Sequence, residues 1–106
     1  MDETTFDRIA EAELRHLEAA LSELDPDEVE AELASSVLTA SFSDGQKLII
    51  ISHRAAGQIW MAAFRQAWHF SPVESGGRWA WRTATEELRE TLAGVVGKRL
   101  GRPVTV

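Results

Sequence analysis

Twelve acids crowd the first third of this chain, and nine of them are candidate ligands: Asp7, Glu11, Glu18, Glu23, Asp25, Asp27, Glu28, Glu30 and Glu32. From Glu18 to Glu32 seven acids occur without a single Lys or Arg. Oxygen donors at this density suit two tasks. They can hold a hard cation in a loose site, or steer a basic protein surface onto the chain in a salt-sensitive way. The bland alternative is a solvated face that guards an edge strand against aggregation. Self-repulsion among unpaired acids lowers stability, which argues that the ridge has a use. No spacing closes a cage, and His16 is the one histidine among them, so modest affinity and poor ion choice are expected.

The formal net charge of −6 hides a division. Residues 1–44 carry thirteen acids against Arg8 and Arg15, a balance of −11, whereas residues 45–106 carry nine Lys or Arg against four Glu, a balance of +5. A negative ridge disfavours nucleic acid as a partner. The chain has no cysteine, which excludes disulfides, thiolate metal sites and a Cys nucleophile. No apolar run approaches the roughly 20 residues of a membrane span. Met1-Asp2-Glu3 is acidic where an export signal is basic and then apolar, so a cytoplasmic protein is expected. His16, His53 and His69 are dispersed without His-x-x-x-His spacing, there is no Gly-x-Ser-x-Gly elbow or Gly-rich phosphate loop, and no two Glu-x-x-His motifs are present to converge on a metal. The sequence reads as a binding protein with no catalytic residues.

The elements that must position the acids can be read from periodicity. Phe6, Ala10, Leu14, Leu17, Leu21 and Leu24 recur at steps of three and four, predicting a helix from about Thr4 to Leu24. Asp7, Glu11 and Glu18 form a second stripe beside the apolar one. Glu28–Leu33 alternates, with Glu28, Glu30 and Glu32 outward. Val37–Ser43 and Gln46–Ser52 flank Asp44-Gly45, a strong hairpin signal. The second run is apolar at Leu48, Ile49, Ile50 and Ile51, predicting an interior strand half covered on its outer side. Gln58–Ala63, Ala67–Pro72 and Arg78–Trp81 are further strands. Ile59, Met61 and Ala63 share one face, with Gln58 and Trp60 on the other. Trp68, Trp79 and Phe70 are assigned to the core, His69 to the outside, and Trp81 to neither.

Thr83-Ala-Thr-Glu86 fits a capping box opening a last helix whose apolar face is Ala84, Leu88, Leu92, Val95 and Val96. Gly94 and Gly97 are each expected to weaken it by ~1 kcal/mol relative to Ala. Val104-Thr-Val106 is a tail expected to tuck between the helices. The expected architecture is α+β: a single domain over residues 1–106, a two-layer α-β sandwich with two terminal helices on one face of an antiparallel sheet of about six strands.

At this point the chain resembles the frataxin family, bacterial CyaY type, over nearly its whole length. The resemblance rests on the acidic first helix and strand, Val37-Leu38-Thr39, Asp44-Gly45-Gln46-Lys47-Leu48-Ile49-Ile50, Gln58-Ile59-Trp60-Met61-Ala62, Trp68-His69-Phe70 and Trp79. It implies a frataxin-like sandwich whose surface carboxylates, the nine named above, bind iron (Fe2+ or Fe3+) weakly. It implies docking on a cysteine desulfurase and its scaffold protein to regulate or supply iron–sulfur cluster assembly, with Gln58, Trp60, Glu18 and Glu23 at the partner surface. A monomer is expected, with iron-dependent oligomers as a variant; ferroxidase or iron-storage activity and a metal-independent acidic interaction module are the alternatives. The sequence departs from the family twice. Ile51-Ser52-His53-Arg54-Ala55 replaces an Asn-Lys/Arg-Gln segment, and Gln66-Ala67 stands where a Gly-Gly pair is common.

Overall fold

A computed structural model describes all 106 residues. Helix α1 spans Glu3–Ser22, and strands β1 (Val29–Ala34), β2 (Val37–Phe42), β3 (Lys47–His53), β4 (Gln58–Ala63), β5 (Gln66–Ser75) and β6 (Arg78–Arg82) follow before helix α2, Leu88–Leu100. The strands form one antiparallel sheet in chain order. Strand β5 is shared along its length: Gln66–Phe70 pair with β4, and Ser71–Ser75 with β6. This is the expected two-helix, six-strand α+β sandwich. No helix is long and apolar enough to cross a membrane.

Side-chain alternation decides which sheet face the helices cover. Leu38, Ala40 and Phe42 of β2, Leu48 and Ile50 of β3, and Ile59, Met61 and Ala63 of β4 are all buried. They meet Phe6, Ala10, Leu14, Leu17 and Leu21 of α1 and Leu88, Leu92 and Val96 of α2 in one cluster. Fully burying each Leu or Ile contributes about 1.5–3 kcal/mol, so this face carries the fold. Helix α1 starts cleanly because the Asp2 carboxylate accepts the Thr5 N–H at 2.7 Å, a bond that lowers the Asp2 pKa.

Four expectations need correction. Helix α2 begins at Leu88, not Ala84. Thr83 Oγ1 does accept the Glu86 N–H at 3.0 Å, but the Glu86 side chain turns to the Thr91 hydroxyl instead of reaching back. The helix cap is Glu87, whose carboxylate accepts the Arg89 and Glu90 N–H groups, and Ala84 is exposed. Trp81 is the largest fully buried side chain, edge-on to Phe6 at 5.9 Å, whereas Trp79 and Trp68 are only half-buried against the core. Both β6 tryptophans share a face, so alternation cannot separate them; position under α1 does. Glu28 lies just before β1, not within it. Gly97 is not simply a weak spot. Its carbonyl accepts the Gly101 and Arg102 N–H groups, and a Cβ there would sit 2.8 Å from the Arg102 carbonyl oxygen. The tail after it leaves Val104 and Val106 half-buried against the core.

One charge lies inside the core boundary. Glu13, 5% exposed, takes a two-pronged ion pair from Arg89, with Nε at 3.0 Å and Nη2 at 2.9 Å, tying α1 to α2. The hydrogen bond to Glu13 raises the Arg89 pKa above its ordinary value.

Two predictions follow from this packing. Gly94 has open space around it, so Gly94→Ala stabilises the protein by about 1 kcal/mol through helix propensity. Gly97→Ala destabilises it, because the added methyl meets backbone; urea denaturation of the two variants shifts in opposite directions, and a parallel shift contradicts the assignment. Arg89→Ala strands the buried Glu13 carboxylate and costs about 1–3 kcal/mol. The double variant Glu13→Leu, Arg89→Leu loses less than the sum of the two single changes in the same measurement; strict additivity removes the pair's role.

Candidate functional site

Strand β1 pairs only with β2, so its other side is a free edge. Helix α1 runs beside it on the inner face. The Glu18 carboxylate accepts the Leu33 N–H at 3.2 Å, satisfying a backbone donor that the edge would otherwise offer to another strand. Asp7 and Glu11, one turn apart on α1, border a small polar cleft with Ser36, Ser52 and Arg54. Glu23, Asp25, Asp27 and Glu28 lie on the connection from α1 to β1. Glu30 and Glu32 project from β1 onto the outer face, opposite Ser41 and Thr39 of β2.

The nine acids do not share one environment. Arg54 clasps Asp7 through Nε at 3.0 Å and Nη2 at 2.5 Å, and this bond raises the Arg54 pKa. Arg15 bonds Glu11 one turn along α1. Arg102 clasps Glu28 at 2.8 and 2.5 Å and holds its carboxyl below the usual range. Asp25 is engaged with the Asp27 N–H. Glu23, Asp27, Glu30 and Glu32 are exposed and carry no arginine partner. No three His, Asp or Glu side chains converge as a preformed metal cage. Oxygen donors of this kind suit a hard cation that keeps most of its water.

The outer sheet face is the second feature. Register aligns Val37, Ile51, Trp60 and His69 in one row across β2 to β5, with Thr39, Ile49, Ala62 and Ala67 in the next. Val37 and Ile49 are 36% and 40% exposed. Trp60 is flanked on both ring faces: His53 stacks at 3.9 Å between centroids and His69 at 4.1 Å. Its indole N–H donates to Gln58 Oε1 at 2.8 Å, and Gln58 Nε2 donates to Ser71 Oγ. Such stacked pairs add about 0.5–1.5 kcal/mol each. The indole is therefore a clamped plate presenting its edge, not a loose anchor. His53 is fixed in turn because its Nδ1 accepts the Ala56 N–H in the short turn Arg54–Ala56.

Sequence reasoning singled out Gln58 and Trp60 and put His69 outside, where the structure has them. It missed His53 as the second plate, although period-two alternation from Lys47 through Ile49 and Ile51 puts His53 on the outer face. It also missed Arg54, Arg15 and Arg102 as partners of the ridge; no local spacing announces Arg54–Asp7 or Arg102–Glu28. The departure at residues 51–55 supplies both the stacking His53 and the clasping Arg54.

Comparison with known proteins places these features. A family model described as a frataxin-like domain matches residues 1–102. The iron–sulfur cluster assembly protein CyaY of Tolumonas auensis is 31% identical over 106 residues, covering 100% of this chain and 99% of its own. That of Ralstonia pickettii is 34% identical over 110 residues, covering 100% and 95%. The solved structure of the frataxin from Psychromonas ingrahamii shares the fold with a TM-score of 0.82 at 23% identity, over 99% of this chain and 97% of that one. The six-strand sheet under two helices, the acidic α1–β1 edge and the full-length likeness agree, and the chain belongs to the frataxin family, CyaY type.

Proposed function

We propose that this protein acts in iron–sulfur cluster assembly by docking on a cysteine desulfurase and its scaffold, and that it binds iron weakly as cargo at its acidic edge. The observation that carries this reading is that one sheet face joins two kinds of surface. Glu30 and Glu32 stand at its β1 edge, and Ile49, Ile51 and Trp60 stand at its middle, linked through β2. A partner with a basic rim and an apolar centre meets both at once. The protein serves as a regulator, with no chemistry of its own. Iron enters at the unpaired acids Glu23, Asp27, Glu30 and Glu32. Asp7, Glu11 and Glu28 join only when Arg54, Arg15 or Arg102 lets go. Cation and partner compete for the same carboxylates, which couples iron level to docking.

The arginine clasps favour a second reading, a metal-independent acidic docking module. The two separate in one titration. Under the first reading, Co2+ as a stand-in for Fe2+ shifts NMR amides from Glu23 to Glu32 first, and Arg54→Ala, which frees Asp7, brings Asp7 into the responding set. Shifts spread evenly over the chain, or none at all, leave only the docking module.

Docking itself is tested by desulfurase activity with and without the protein across salt concentrations. Trp60→Ala and the charge reversal Glu30→Lys, Glu32→Lys each weaken the effect by about tenfold, the scale of one hot-spot residue, while thermal melting confirms that the variants fold. An effect that survives both changes places the partner elsewhere.

A further inference from the structure

A second concavity of about 520 Å3 lies between the later turns of α2 and the β4–β5 turn, apart from the acidic edge and the Trp60 face. Its walls are apolar, from Phe64, Trp68 and Val95, and its rim is cationic, from Arg65, Lys98 and Arg99. The three cations are not alike. Arg99 is committed: it pairs with Asp44 and lies over the Phe64 ring, 5.0 Å from its centroid. Arg65 and Lys98 are exposed and carry no carboxylate partner. In a chain of net charge −6, two free cations meet here beside half-buried aromatic surface.

The turn that supplies this rim is held in a costly conformation. Phe64 and Arg65 both have left-handed backbone, φ 49° and 67°, where glycine is the usual occupant. Such residues cost about 1–3 kcal/mol each and persist only where their surroundings hold them. Phe64 is held by the Phe42 ring at 5.4 Å and by the Arg99 guanidinium. The aromatic wall and the cation beside it are thus fixed before any ligand arrives.

We infer that this cleft docks a short acidic peptide segment that carries one large apolar side chain. The volume suits one such side chain with its flanking backbone. Phe64, Trp68 and Val95 take the apolar group, and Arg65 and Lys98 take carboxylates on either side of it. A long polyanion is disfavoured, because the acidic edge repels it. This inference is independent of the iron and desulfurase reading, and either can fail alone.

The test is an NMR titration of the whole protein with the peptide Asp-Glu-Leu-Phe-Asp-Glu. Amides of residues 65–68 and 95–99 shift, and the charge reversal Arg65→Glu, Lys98→Glu weakens binding by about tenfold or more without lowering the melting temperature. The neutral peptide Asn-Gln-Leu-Phe-Asn-Gln and the anchorless Asp-Glu-Gly-Gly-Asp-Glu bind at least tenfold more weakly. Equal binding of either control, shifts confined to the Trp60 face, or indifference to the charge reversal overturns the proposal. Citrate binding as tightly as the peptide overturns it in favour of a small-carboxylate site. Peptide-free, concentration-dependent shifts at the same amides overturn it in favour of a second copy of the chain.

Discussion

Two helices can cover only one face of a six-strand sheet, and this constraint organises the molecule. The covered face takes every fully buried leucine and isoleucine of the strands and the inward stripe of both helices. Strand β1 is left with a free edge and β3–β5 with an open face. Each exposed feature carries a device that keeps it tolerable in water. Glu18 satisfies the Leu33 N–H on the edge, and Glu30 and Glu32 charge the outer face of the same strand. On the open face the largest side chain, Trp60, is sandwiched between two imidazoles and bonded through its N–H. Surfaces made safe in this way remain available for a partner of the right chemistry.

Charge is the second organising term, and folding changes its meaning. In the sequence the acids and bases are separated by half a chain. In the structure, four of the five ion pairs join an acid from residues 1–44 to an arginine from the later half: Asp7 to Arg54, Glu13 to Arg89, Asp44 to Arg99 and Glu28 to Arg102. The asymmetry is thus partly a set of tertiary fasteners. They tie α1 to the turn after β3, α1 to α2, the hairpin to α2, and the start of β1 to the C-terminal tail. Only the acids left over, chiefly Glu23, Asp27, Glu30 and Glu32, are free to meet something outside the molecule. The exposed pairs contribute little each; the Glu13 pair, whose carboxylate is buried while Arg89 reaches solvent, contributes to how the helices seat.

Much of this was legible in the sequence, for a physical reason. Strands β2 and β4 and helix α1 announce themselves because one covered face imposes a strict period on Leu38-Ala40-Phe42, on Ile59-Met61-Ala63 and on the α1 leucines. The Asp44-Gly45 pair fixes the hairpin locally: Gly45 sits at φ 88°, and the Asp44 carboxylate accepts the Gln46 N–H. What could not be read depends on contacts distant in sequence. Glu13 lies next to Leu14 on the buried side of α1, but only Arg89, 76 residues later, explains a carboxylate there. Trp79 and Trp81 have the same parity, and only the position of Phe6 decides which is enclosed. The cap of α2 moved from Thr83 to Glu87 because the chain first forms a tight turn closed by the Thr83 N–H to the Glu86 carbonyl. The acids were visible one by one, but their division into clasped and free sets follows from where the fold delivers the arginines.

The helix-covered face is structural, and the proposed docking uses the β1 edge and the outer face of β3–β5. Hydrogen–deuterium exchange on the protein alone and bound to a desulfurase–scaffold complex measures this most directly. Protection on binding is expected for residues 23–33 and for the backbone around Ile49, Ile51, Gln58 and Trp60, with α2 unchanged from Leu88 to Val96. Protection concentrated on α2, with the acidic edge and the Trp60 row exchanging as in the free protein, would contradict docking through these surfaces.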